Sequence, residues 1–178
     1  MCLVSCSIEL GAGSGLVGYA SSTPVSSKPN SLGLSADPPP PPLPSLALAL
    51  NLRSNPAIHL TDLPPLLPLL ATNIALNTLQ TPCVASHLPW GTSTLPPSLS
   101  QLPDVVLAAD CVYFEPAFPL LLETLGRLIG EETVCYFCFK KRRRADMTFM
   151  KAARKGFEVR EVRDDPERGV WEREGVFM

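Results

Sequence analysis

An α/β fold with a mostly parallel sheet is predicted by three observations. Short apolar runs alternate with leucines at helical spacing, a glycine-rich turn closes the first run, and acidic or aromatic residues stand at the ends of later ones. Leu3 to Leu10 reads as the first buried strand, and Leu16 to Ala20 begins a helix. Ser21 to Pro44, with an unbroken proline run at Pro38 to Pro42, interrupts that helix and is expected to be a disordered loop or polyproline II insert. Helical character resumes at Ser45 to Leu52, and Ala57 to Asp62 is the second strand. Asp62 is placed to cap the helix that follows, where Pro64, Pro65 and Pro68 fall near the first turn before Leu69 to Asn77 continues. Cys83 to His87 is the third strand, followed by Leu88-Pro89-Trp90-Gly91 and a Ser/Pro loop to Leu102. Asp104 to Ala109 is a fourth strand, apolar to its end at Asp110. Phe118 to Ile129 is a helix, Thr133 to Phe139 a fifth strand and Ala145 to Lys155 a further helix. Phe157 to Val162 alternates with period two and is expected as a sixth strand, and Val176 to Met178 begins a seventh.

A chain of 178 residues, 46% apolar, is one domain's worth and long enough to bury a core. Charge is unevenly placed: only Glu9, Lys28, Asp37, Arg53 and Asp62 precede Asp104, although the net charge is only −2. That total implies no polyanion partner. The start, Met-Cys-Leu-Val, lacks a basic leader region, and the apolar stretches near Leu43 to Leu50 and Leu63 to Leu76 are too short or too proline-broken to span a bilayer. A soluble, cytoplasmic, monomeric protein is expected, its six cysteines kept reduced. Cys135 and Cys138 point to opposite faces of a strand and have no second Cys/His pair, so no metal site is assigned.

The chemistry-bearing segment is Ile8 to Gly18, Ile-Glu-Leu-Gly-Ala-Gly-Ser-Gly-Leu-Val-Gly. Gly11, Gly13 and Gly15 lack a Cβ and let a bare backbone approach a nucleoside ligand. The dinucleotide fingerprint G-x-G-x-x-G would put its third glycine at Leu16, so the register does not suit NAD. An ordinary strand-to-helix turn and a diverged dinucleotide site remain alternatives on these residues alone. Ligands of doubly wound sheets collect beyond the strands' carboxyl ends, where Asp62, Trp90, Asp110 and Tyr113 also fall. An acid after the second strand suits ribose hydroxyls, and an indole after the third suits an adenine face. Helix capping and core packing are the plainer readings of Asp62 and Trp90, and a strand-end cap with a core tyrosine is that of Asp110 and Tyr113. His59 and His87, inside strands, read as core or edge histidines.

The spacing G-x-G-x-G after an acid resembles the first motif of class I methyltransferases. Together with Leu60-Thr61-Asp62-Leu63-Pro64, Asn73, Asn77, Leu88 to Gly91 and Ala109-Asp110-Cys111-Val112-Tyr113-Phe114-Glu115, it resembles the seven-strand protein-lysine methyltransferases. Cys138 to Asp146 with Phe149 is most similar to their fungal elongation factor methyltransferase 6 type. The resemblance implies a Rossmann-like sheet with helices on both faces and S-adenosyl-L-methionine as cofactor. It implies that Gly11, Ala12 and Gly13 line that cofactor, that Asp62 binds its ribose, and that Trp90 and Ala109 flank the adenine. Glu9 would steady the glycine loop. Asp110 and Tyr113 match the family's D-x-x-Y element, Asp110 holding the substrate ammonium and aligning the amine while Tyr113 borders the lysine channel. The implied partner is a protein substrate, translation elongation factor 1-alpha; chaperones of the Hsp70 type and valosin-containing protein are other targets of the group. Relative to that family the chain is expected to lack an N-terminal segment and part of the last strand.

The basic run Lys140 to Arg144 reads as a solvated helix start or a patch that guides an acidic protein surface, with nucleic-acid binding the less favoured reading. Two alternatives to a protein-lysine methyltransferase remain open: a small-molecule or nucleic-acid methyltransferase of the same fold, and a non-catalytic remnant that binds a partner.

Overall fold

A computed structural model describes residues 6–11, 57–76, 82–166 and 168–177. The predicted helices at Leu16 to Ala20 and Ser45 to Leu52, and the insert from Ser21 to Pro44, lie outside them. The described residues form a six-stranded sheet in the order β3-β2-β1-β4-β5-β6. Its strands are β1 (Cys6–Leu10), β2 (Ala57–Asp62), β3 (Cys83–His87), β4 (Val105–Ala109), β5 (Val134–Lys140) and β6 (Val176–Phe177). The first five pair in parallel, and β6 runs antiparallel along β5. The alternation of strand and helix signals predicts this mostly parallel α/β sheet, and its Rossmann-like arrangement is the one that the family resemblance implies.

Helices cover both faces, as expected. On one face α1 (Leu67–Leu76), entered through a 3-10 turn at Pro64–Leu66, sets Leu70 against Leu60 of β2 with Leu67, Ile74, Cys83 and Ala85 around them. On the other lie α2 (Phe118–Leu128) and α3 (Arg144–Gly156). The parallel register puts Ile8 beside Val106 and Leu10 beside Ala108, so every second residue of β1 and β4 points into this larger core. Phe118 of α2 meets Phe149 of α3 edge-on at 5.4 Å, and Phe149 stacks on Phe137 of β5 at 5.5 Å. These rings tie the two helices to the sheet, and burial of such side chains supplies the main drive for the layering.

One expectation is corrected and one element is added. Phe157 to Val162 forms no strand: β6 occupies the edge of β5, and among the described residues no strand lies beside this segment to supply hydrogen bonds. Its charged side chains pair locally instead, Arg160 with Glu158 at 2.6 Å. Arg168–Glu174, a short charge-dense helix (α4), was not foreseen; Arg168 bridges to Glu172 one turn on and to Glu161. It leads into β6, which the expected seventh strand at Val176 had foreseen. Among the described residues no helix is long and apolar enough to cross a membrane.

Candidate active site at the strand ends

The chain leaves β1 toward β2 on one side and later returns to β4 on the other, so the switch point of the sheet lies between the carboxyl ends of β1 and β4. Gly11 leaves β1 there with φ +58, the left-handed region. A Cβ at Gly11 would stand 3.3 Å from Trp90 Cζ2 and 3.6 Å from Cys111 Sγ. A side chain at Gly11 would therefore press on the indole, and only a bare backbone leaves the ring its room. Ala12 and Gly13, the other expected cofactor-lining residues of this turn, lie outside the described residues.

Trp90 comes from the far side of the sheet. The segment after β3 crosses over β2, where the Leu88 N–H donates to the Asp62 carbonyl at 3.2 Å, and it delivers the half-buried indole to Gly11. Gly91 makes the turn possible: its φ is +80, its N–H donates to Thr124 Oγ1 at 2.9 Å, and a Cβ would lie 2.6 Å from Leu120 Cδ2. The pair Trp90-Gly91 thus locks against α2.

Asp62 ends β2 half-buried, at the same edge of the sheet. Its Oδ1 accepts from the Leu63 N–H at 2.7 Å. It does not cap the next helix, contrary to the sequence expectation: Leu63 holds that position without a side-chain bond. Pro64 and Pro65 follow immediately and have no N–H for a cap to serve. Asp62 thus stands at the carboxyl end of β2, the end at which Gly11 leaves β1.

Ala109 and Asp110 close β4. Asp110 adopts φ +54, a conformation that Asp tolerates better than most residues, and its N–H donates to the Cys138 carbonyl at 2.8 Å. Its carboxylate is gripped two-pronged by Arg142, Nη1 to Oδ1 at 2.6 Å and Nη2 to Oδ2 at 2.7 Å. Tyr113 is 58% exposed, with its backbone carbonyl accepting from Arg143 Nη2. Cys111, buried beneath, donates its thiol to the Leu10 carbonyl at 3.4 Å and so ties the exit of β4 to that of β1. Burial pushes this thiol far up, and the nearby Glu9 carboxylate adds to the effect.

Arg142 and Arg143 were missed as site residues. A basic run reads as solvated surface, and the only local hint is Asp146, three and four residues on. Asp146 is wholly buried at the start of α3, and its Oδ2 accepts from the N–H groups of Arg142 at 2.7 Å and Arg143 at 2.8 Å. Lys140 pairs with Glu174 at 3.3 Å. Much of the run is thus engaged within the fold. A cavity of about 300 Å³ lies elsewhere, lined by Glu161, Val162, Arg168, Trp171, Glu172, Val176 and Phe177, and no predicted site residue contributes to it.

The sheet order, five parallel strands with an antiparallel sixth, is that of a Rossmann-like methyltransferase fold. A family model described as lysine methyltransferase matches residues 43–156, and the chain belongs to that family. It is 39% identical over 116 residues to "Protein-lysine N-methyltransferase EFM6" of Saccharomyces cerevisiae, covering 60% of this chain and 47% of the relative. It is 31% identical over 170 residues to "Protein N-lysine methyltransferase METTL21A" of Danio rerio, covering 92% and 62%. Over 39 residues it is 54% identical to "EEF1A lysine methyltransferase 3" of Mus musculus, covering 22% and 17%. The chain thus spans less than two thirds of the length of these curated relatives.

Proposed function

We propose that the protein is an S-adenosyl-L-methionine-dependent protein-lysine N-methyltransferase of the cytoplasm, acting as a monomer on translation elongation factor 1-alpha. The observation that carries this reading is the close approach of the Trp90 indole to the left-handed Gly11 turn, where it would crowd any side chain, one strand away from Asp110. Family membership supports the reaction class, and the printed name of the EEF1A lysine methyltransferase 3 relative supports the substrate.

The residues present fit the cofactor. A Cβ-free backbone beside an indole suits a flat nucleoside, Gly11, Ala12 and Gly13 would line it, and Trp90 and Ala109 would flank the adenine. Asp62, at the end of β2, would accept hydrogen bonds from the ribose hydroxyls. When bound, the cofactor supplies a methyl group already activated on a sulfonium. The protein's task is to present a neutral amine in line with it. Lysine, with a pKa near ~10.4, is protonated at pH 7, and removing the proton costs about 4 to 5 kcal/mol. Asp110 orients the ammonium and then the amine, while the Tyr113 ring borders the lysine channel. Positioning of this kind accounts for most of the rate.

Calorimetric titration of the 178-residue chain with S-adenosylhomocysteine tests the reading, together with transfer of labelled methyl to elongation factor 1-alpha. Binding is expected, weakened about tenfold or more in Asp62→Ala by loss of a charged hydrogen-bond acceptor. Label that appears in RNA or small molecules instead of protein would reassign the substrate class. Absence of binding by a folded chain would favour a non-catalytic partner-binding protein.

A further inference from the structure

The Asp110 carboxylate is held from two directions. Its backbone is fixed by φ +54 and by the bond from its N–H to Cys138, and its side chain by the paired contacts to the Arg142 guanidinium at 2.6 and 2.7 Å. The guanidinium is anchored in turn, since Asp146 inside the protein binds the backbone N–H groups of Arg142 and Arg143, and Phe149 one turn later seats α3 in the core. Arg143 reaches back to the Tyr113 carbonyl, so adjacent arginines hold the first and last residues of the D-x-x-Y element.

With the Arg142 side chain 41% and the Asp110 side chain 25% accessible, the ion pair is screened by solvent, which limits what its charge adds to stability. Two-pronged arginine–carboxylate contacts contribute direction instead. Each carboxylate oxygen keeps a second lone pair with which to meet an amine.

We propose that Arg142 is a positioning residue for methyl transfer, aiming the Asp110 carboxylate at the acceptor amine without touching the substrate itself. The inference rests on the methyltransferase reading given above. It removes the basic run from the class of solvated or nucleic-acid-binding features and gives it a task within the site.

A double-mutant cycle tests it. Arg142→Ala, Arg142→Lys, Asp110→Asn and the Asp110→Asn/Arg142→Ala double variant are compared in steady-state methylation of elongation factor 1-alpha, in S-adenosylhomocysteine affinity and in circular dichroism. Arg142→Ala is expected to lower kcat by about ten- to a hundredfold, the usual cost of a misaimed group, with cofactor affinity and substrate KM within about twofold. Arg142→Lys, which keeps the charge without the fork, should restore only part of the rate. On the Asp110→Asn background, loss of Arg142 should cost nothing more. A parent-like kcat in folded Arg142→Ala, losses that multiply in the double variant, or a rate above the parent's would each overturn the assignment. The last would mean that the guanidinium sits in the acceptor's place. A parent that does not bind S-adenosylhomocysteine would instead overturn the functional reading, and the role of Arg142 with it.

Discussion

At Gly11 the geometry of one residue decides whether the turn can exist. An L-residue at φ +58 costs about 1 to 2 kcal/mol through its Cβ clash, and here the Cβ would also press on Trp90 Cζ2 at 3.3 Å. The indole is half-buried and can move by a few tenths of an ångström, so the fold should survive while the turn shifts. Gly11→Ala is therefore expected to stay folded, with a melting temperature lower by about 2 to 8 °C. Its affinity for S-adenosylhomocysteine should fall by about tenfold or more, since the strain and the displaced ring act at the same place. Parent-like affinity in calorimetry would show that the close approach of Trp90 to Gly11 plays no part in cofactor binding. Among the described residues Asp110 is the one non-glycine residue with positive φ, and its side chain is the one that Arg142 grips. On the proposed reading the sequence marks that difference, with glycine where the cofactor would come close and an acid where a carboxylate would meet the amine.

Among the elements, α3 connects the hydrophobic core to the candidate site. Its first turn carries Asp146, wholly buried, which accepts from two backbone N–H groups and lies 3.9 Å from Arg143 Nε. Removing that acceptor deprives the part-buried N–H groups of Arg142 and Arg143 of their partner. Asp146→Ala should cost about 2 to 3 kcal/mol, and the melting temperature should fall by about 5 to 10 °C. Asp146→Asn, which keeps one acceptor oxygen, should lose less. A melting curve that coincides with the parent's would refute the anchoring role of Asp146. The strands were more legible than this anchor. Ala57 to Asp62 and Cys83 to His87 formed where apolar and β-branched residues predict them; β2 is buried on both faces, and β3 pairs along its outer side as the edge strand. Phe157 to Val162 has the same period-two signal and forms none, since alternation states which face is apolar but not whether a neighbouring strand exists. The β6 edge was set by residues nearly twenty positions further on.

For the whole molecule, the site was legible because one topology sends every parallel strand toward the same edge. Asp62, Trp90 and Asp110 could be placed by strand order alone, and the structure brings Trp90 to Gly11 by carrying its loop over β2. Arg142 could not be placed, as its partner lies 32 residues back and a charge run looks like solvent-facing surface. The same burial that makes the core predicts a pH window for stability. His59, in β2 with its Nδ1 3.3 Å from Ser98 Oγ, has its pKa lowered by burial, so the unfolded chain takes up a proton more readily and stability is lost as pH falls below about 6.5. The thiols act in the opposite sense. Burial pushes Cys83 up to about 11 and Cys135 up to about 12, and Cys111 higher still. Their contribution is intact below the unfolded thiol pKa near ~9 and is lost as pH rises toward the folded values, because only the unfolded chain can then release those protons. Cys111, 3% exposed, can by itself steepen the loss by up to about 1.4 kcal/mol per pH unit above that point. The urea midpoint should accordingly be highest between about pH 6.5 and 8.5 and fall on both sides, with the alkaline limb flattened in Cys111→Ala relative to the parent. A midpoint that stays level from pH 8 to 10.5 would mean that these thiols are not sequestered in the native protein, and the tie from Cys111 to the end of β1 would go with them.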